Sequence, residues 1–197
     1  MRIGLKWSAR GLPCGLSVTP GANLLVTCQL PNKLVELSVE SGQCRREIAL
    51  QSDVVCPRDA VLLTTGQLVV CHGLGDSLHR VCIVDDAGRI TRSYGGRSGC
   101  DVGQLNEPCH LAVSLGSRLI FVADFGNDRV VLLSPTLEFV GYISEGLSRP
   151  RRLHVHETAR RVYVGVISRQ RHQAGCLALC IKGLTDRQTY PPVVAVL

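Results

Sequence analysis

The stretch Gly99-Cys100-Asp101-Val102-Gly103-Gln104-Leu105-Asn106-Glu107-Pro108 decides how the chain is read, together with Ile120-Phe121-Val122-Ala123-Asp124 and Asn127-Asp128-Arg129-Val130 behind it. A turn-rich segment ends on a proline. An apolar run of strand length then ends on a small residue and an acid. A polar turn follows and leads into a second apolar run, Val130-Val131-Leu132-Leu133. Runs rich in Val and Ile, bounded by Gly, Asn and Asp, are strand and hairpin signals.

Working outward, Pro108 has counterparts at Pro13, Pro57 and Pro150, at successive separations of 44, 51 and 42 residues. Each is followed 14 or 15 residues later by a small residue that closes an apolar strand: Cys28, Cys71, Ala123 and Gly165. Self-similarity of this kind marks a repeat architecture. Within each unit a first strand follows the proline (Gly15 to Val18, Ala60 to Leu63, His110 to Val113, Arg152 to Val155). A turn leads to the second strand, which ends on the small residue. The third strands are Leu34 to Leu37, Val81 to Val84, Val130 to Leu133 and Cys176 to Leu179. Fourth strands run over Glu47 to Leu50, Ile90 to Tyr94 and Phe139 to Ile143. Gly and Asn in the turns supply the positive φ that tight hairpins need.

Four strands per unit is the count of a propeller blade. Several runs, such as Val130 to Leu133, are apolar on both faces, whereas a sheet with one wet face alternates. The expected fold is therefore all-β, a partial β-propeller of about four four-stranded antiparallel blades. These span approximately 12–53, 54–105, 106–146 and 147–197 of one domain, 1–197. Helical periodicity is not sustained anywhere.

The third unit resembles an NHL repeat, through Gly99 to Pro108, the run ending Ala123-Asp124, and Asn127-Asp128-Arg129. The other units match it in spacing more than in identity. Cys71 and Gly165 stand where the pattern has Ala, and no Asp follows either. The motif residues Asp124, Asn127 and Arg129 have structural jobs. Asp124 is expected to accept N–H groups of the turn that follows, with Gly126 and Asn127 left-handed there and Arg129 pairing with Asp124 across the hairpin. The resemblance implies about six blades. The chain is accordingly read as a piece of a longer propeller, and open sheet edges would invite self-association.

Formal charge is +6, and most of the 22 basic residues are Arg. Arg suits bidentate contact with carboxylate or phosphate. Arg58 and Arg151 directly follow their prolines, with Arg149 and Arg152 beside the second. All four are candidates for a partner- or RNA-binding rim on the central channel. The ten Cys include no CxxC pair. Cys28 and Cys71 recur at one blade position, Cys14 and Cys109 at another, as buried small hydrophobes do. Cys176, Cys180 and His172 form a weaker ligand set, so no metal or other cofactor is expected. The first 15 residues, with Arg2, Lys6 and Arg10, contain no secretory apolar run. No stretch is long and apolar enough for a membrane span, and reduced thiols in the cytoplasm are expected.

No G-x-S-x-G is present, and the Gly73-Leu74-Gly75 loop lies between strands, without the helix a phosphate loop requires. The chain is thus expected to be no enzyme but an interaction module for a protein partner. In tripartite-motif NHL-like proteins such a propeller selects substrates for an attached ubiquitin ligase. An RNA-binding propeller is the alternative. A lyase of the peptide-amidating type, through His110 and His154, is the third reading.

Overall fold

A computed structural model describes residues 11–167, 174–182 and 193–196, the last two segments as backbone only. Four antiparallel sheets of four strands follow one another along the chain. The first holds β1 (Leu12–Val18), β2 (Leu24–Gln29), β3 (Lys33–Leu37) and β4 (Cys44–Ala49). The second holds β5 (Pro57–Leu62), β6 (Leu68–His72), β7 (His79–Val84) and β8 (Ile90–Gly96). β9 (Pro108–Val113), β10 (Ile120–Asp124), β11 (Arg129–Leu133) and β12 (Phe139–Ile143) form the third. The fourth holds β13 (Pro150–His156), β14 (Arg161–Ile167), β15 (Ala174–Lys182) and β16 (Val193–Val196). Within every sheet, strands pair in chain order as a meander. The first strands pack in succession, β1 on β5, β5 on β9 and β9 on β13. This is β-propeller architecture. The side chains of Cys176 and Cys180, and residue His172, lie outside the described residues.

Strand parity explains the double-faced apolar runs. In β6, Leu68 and Val70 join Leu25, Leu34 and Ile48 of the first blade in one core. Val69 and Cys71, between them in sequence, join Ile120, Val122, Val131 and Leu133 of the third blade in another. In β10, Phe121 and Ala123 turn the other way, onto Leu153, Val162 and Val164 of the fourth blade. Successive side chains point to opposite faces, so a blade with apolar residues at every position fills two interfaces. Each fully buried Val, Leu or Phe contributes about 1.5–3 kcal/mol by leaving water.

The third blade is tied together by a buried polar network. Asp124 is fully buried and pairs with Arg129 at 2.7 Å, as the motif implied. Its partner N–H, however, comes from Asn106, 18 residues upstream (2.6 Å), and not from the following turn. That turn is a short 3-10 segment, Phe125–Asn127, and its left-handed residue is Asp128 rather than Gly126 or Asn127. Gly126 instead lies against Asn106, whose carbonyl accepts the Gly126 N–H. Asn127 Nδ2 donates to Asp124 Oδ2 and to the Gly99 carbonyl, each at 2.8 Å. The Arg129 guanidinium donates to the carbonyls of Cys100 (2.6 Å) and Gln104 (2.8 Å). The turn-rich opening of the unit is thereby bound to its central hairpin. Burial pushes the Asp124 carboxyl up, against the pull of the Asn106 N–H, Asn127 and Arg129.

The second blade keeps the device with other residues. His72 stands at the place of Asp124, and Arg80 pairs opposite it in the ladder. Arg80 donates to His72 Nε2 at 3.3 Å, and Asp53, from the preceding loop, supplies the carboxylate at 2.8 Å. Hairpin turns also depart from expectation. Positive φ falls on Ala22, Arg118 and Arg160 in three of the four first hairpins, and on a glycine, Gly66, only in the second blade.

Removing one member of a buried ion pair strands the other charge. Asp124→Ala is expected to cost about 3–5 kcal/mol in urea unfolding, with Asp124→Asn, which keeps an acceptor for Asn106, losing less.

Candidate functional site

Every first strand carries the same irregularity. In β1, Pro13 pairs with Cys28 and Gly15 with Thr27, leaving Cys14 unpaired. In β5, Pro57 pairs with His72 and Asp59 with Cys71, leaving Arg58. Cys109 is skipped in β9 and Arg151 in β13. These are β-bulges, each one residue after the marker proline. A bulge inserts an unpaired residue and re-aims its side chain. The residues before three of the prolines, Cys56, Glu107 and Arg149, are left-handed, so the backbone enters those three bulges by the same bend.

The four bulge residues converge. Cys14, Arg58, Cys109 and Arg151, with Arg152, Glu107 and Phe125, line one pocket of about 230 Å³ at the mouth of the channel between the first strands. The two cysteines also join blades. Cys14 Sγ donates to the Pro57 carbonyl of the next blade at 3.0 Å, and Cys109 Sγ to the Pro150 carbonyl at 3.5 Å. Burial pushes both thiols up to about 11, so they stay protonated and make poor nucleophiles. Arg58 and Arg151 occupy the equivalent bulges with longer, charged side chains. Among the described residues no carboxylate forms a salt bridge with either, and Arg58 Nε is buried without an acceptor.

One residue further in stand Gly15, Asp59, His110 and Arg152. A Cβ at Gly15 would come within 2.7 Å of the Arg58 carbonyl and of Asp59 Oδ1, so this position admits no side chain. Asp59 Oδ2 accepts the Leu111 N–H at 3.0 Å, and His110 Nδ1 accepts the Leu153 N–H at 3.3 Å. Each side chain therefore links its blade to the next. His110 Nε2 lies 3.6 Å from Asp59 Oδ2, but this is no salt bridge at neutral pH. Burial pushes Asp59 up to about 7, and burial together with Arg152 pulls His110 down to about 4. Apolar surroundings thus hold the imidazole neutral and weaken the carboxylate as a counter-charge.

Of the rim candidates, the structure brings Arg58, Arg151 and Arg152 together. Arg149 does not line the pocket. Its guanidinium lies over the Phe125 ring, 5.1 Å from the centroid, and its N–H donates to Asp128. His154 stands beside Tyr163, with ring centroids 6.4 Å apart, rather than with His110. Among the described residues, no three His, Cys, Asp or Glu side chains are grouped to hold a metal ion. Nor is any described helix long and apolar enough to cross a membrane. Sequence reasoning missed that Cys14 and Cys109 share the ring with Arg58 and Arg151. The signal was present, since all four directly follow a marker proline.

No protein-family model and no curated protein matches the chain. Solved structures do. The chain superposes on hydrazine synthase from Kuenenia stuttgartiensis at TM-score 0.68 and 15% identity, covering 100% of this chain and 53% of that one. It matches the β-propeller domain of Cps50 (Swd1) from Myceliophteria thermophila at 0.63 and 13%, over 93% and 57%. Virginiamycin B lyase from Staphylococcus aureus, with quinupristin, matches at 0.54 and 12%, over 83% and 54%. The chain spans about half the length of these structures. At such identities the likeness is one of fold, and the fold is a β-propeller.

Asp59 generates a pH dependence of known sign. Between its ordinary value of 3.8 and about 7 the folded chain holds a proton that the unfolded chain has lost, so stability falls as pH rises. His110 acts oppositely between about 4 and 6.5. Urea unfolding of the protein and of Asp59→Asn, from pH 4 to 8, is expected to show the native advantage over the variant shrinking through this window. The slope should approach about 1.4 kcal/mol per pH unit and flatten above pH 7.

Proposed function

We propose that the chain is a non-catalytic interaction module, an NHL-type propeller segment that docks an acidic protein partner on the channel mouth. The observation that carries this reading is the convergence of Arg58, Arg151 and Arg152, from two different blades, none of them in a salt bridge among the described residues. Elsewhere Arg46, Arg80, Arg89 and Arg129 are each matched to an acid at 2.7–2.8 Å. Surplus positive charge at a concave mouth favours a complementary negative surface and speeds its encounter. The NHL assignment rests on the Asp124–Asn127–Arg129 network, which gives the motif residues a cooperative structural task. In a tripartite-motif-like protein, a module of this kind would choose what an attached ubiquitin ligase modifies.

A protein partner is favoured over RNA because Phe125 is the single aromatic side chain lining the pocket. Single-stranded recognition combines a basic track with several stacking platforms. A lyase reading finds little support in His110, whose ring is engaged by Leu153 and Asp59, or in His154, which stands apart.

A fluorescein-labelled 15-residue Asp/Glu-rich peptide and a labelled RNA oligomer of equal charge provide the test, by anisotropy. The peptide is expected to bind, and Arg58→Glu with Arg151→Glu to weaken it at least about tenfold, or about 1.4 kcal/mol. Unchanged peptide binding in the double variant overturns the docking site. Tighter binding of RNA, with a steep loss between 50 and 200 mM salt, would replace the protein partner with nucleic acid.

A further inference from the structure

We infer that the pocket ringed by Cys14, Arg58, Cys109, Arg151 and Arg152 is an oxyanion site, sized for one carboxylate or phosphate group carried on a partner's side chain. The inference rests on the docking reading above and names the chemistry of the anchoring contact.

Three features specify the ligand. The first is donor supply. Arg58 Nε is buried with no acceptor, and Arg152 donates to the Arg151 carbonyl at 3.2 Å while its charge acts on Asp59 beneath the pocket. A buried N–H of a cation without an acceptor is costly, and an entering oxyanion removes that cost. Two forked guanidiniums, from the second and fourth blades, match the two or three oxygens of a carboxylate or phosphate. The second feature is the charge balance. Three guanidiniums line the pocket against one carboxylate, Glu107. Asp59 lies beneath, screened from water and only partly ionised at neutral pH. The third is size and wall chemistry. About 230 Å³ is below the range of cofactor-sized sites and suits the end of a side chain. The two thiols already donate to Pro57 and Pro150, so they present soft, weakly polar walls between the guanidiniums. Cys, Arg, Cys and Arg in turn, from β1, β5, β9 and β13, mean that all four blades contribute.

Inorganic phosphate and malonate are the probes, each titrated into the whole chain against NaCl at matched ionic strength. Thermal unfolding is followed alongside amide chemical shifts. The site predicts a saturable rise in Tm with at least one probe, and shifts concentrated at Arg58, Cys109 and Arg151. Both should be absent in Arg58→Gln and Arg151→Gln and retained in Arg45→Gln, an exposed arginine on β4. Saturation by phosphate alone assigns a phosphorylated side chain, and by malonate alone an Asp, Glu or chain-terminal carboxylate. An equal, unsaturable rise in all variants is general salt exclusion and overturns the inference, as does the absence of shifts at the bulges. The two readings separate in a competition with the acidic peptide. If the peptide binds while neither probe shifts the pocket, the oxyanion site falls and docking stands. If a probe saturates the pocket and the peptide does not bind, the acidic-partner reading falls.

Discussion

No single sheet of this chain could stay folded in water. A four-stranded blade with apolar residues at consecutive positions has two greasy faces and must cover both. Val69 and Val70 make the constraint concrete: adjacent in sequence, they belong to cores on opposite sides of one sheet. Stacking blades radially answers the demand, and the rest of the architecture follows from it. The first strands are brought side by side, and a channel forms between them. The loops that enter those strands are gathered at one mouth.

Polar side chains then serve two distinct ends. Inside the third blade, Asp124 and Arg129 bind a loop to a hairpin and have every charged group matched. Between blades, Cys14, Asp59, Cys109 and His110 each reach a backbone group of the next first strand, so the joints are neutral or nearly so. The side chains of Arg58, Arg151 and Arg152 take part in neither set of hydrogen bonds and line the mouth. The separation is physical: the buried Asp124–Arg129 pair holds the fold, while Arg58, Arg151 and Arg152 line the opening.

Much of this was legible in the sequence, because a repeat states its own period. Pro57, Pro108 and Pro150 open their strands as the spacing implied, and the apolar quartets form the second and third strands. Arg58, Arg151 and Arg152 meet because they hold equivalent or adjacent places in the repeat. What escaped was contact across long separations. Asp124 receives its N–H from Asn106 rather than from its own turn, a partnership no local rule contains. His72 hid the second blade's version of that network, because the carboxylate arrives from Asp53 in a loop. Positive φ falls on the exposed Ala22, Arg118 and Arg160 instead of on a glycine, and turn hydrogen bonds such as Ala22 N–H to the Thr19 carbonyl and Arg160 N–H to the Glu157 carbonyl close those hairpins. The bulges were invisible because an extra residue shows only when two strands are laid in register.

The bulge residues have no partner across the ladder, and that has an evolutionary corollary. A substitution at Cys14, Arg58, Cys109 or Arg151 leaves the strand pairing intact, and at the two arginines it breaks no joint between blades. Specificity at the mouth is thereby uncoupled from foldability. Duplicated units can diverge there one residue at a time, and an engineer could graft new recognition into this scaffold without redesigning its hydrophobic interior.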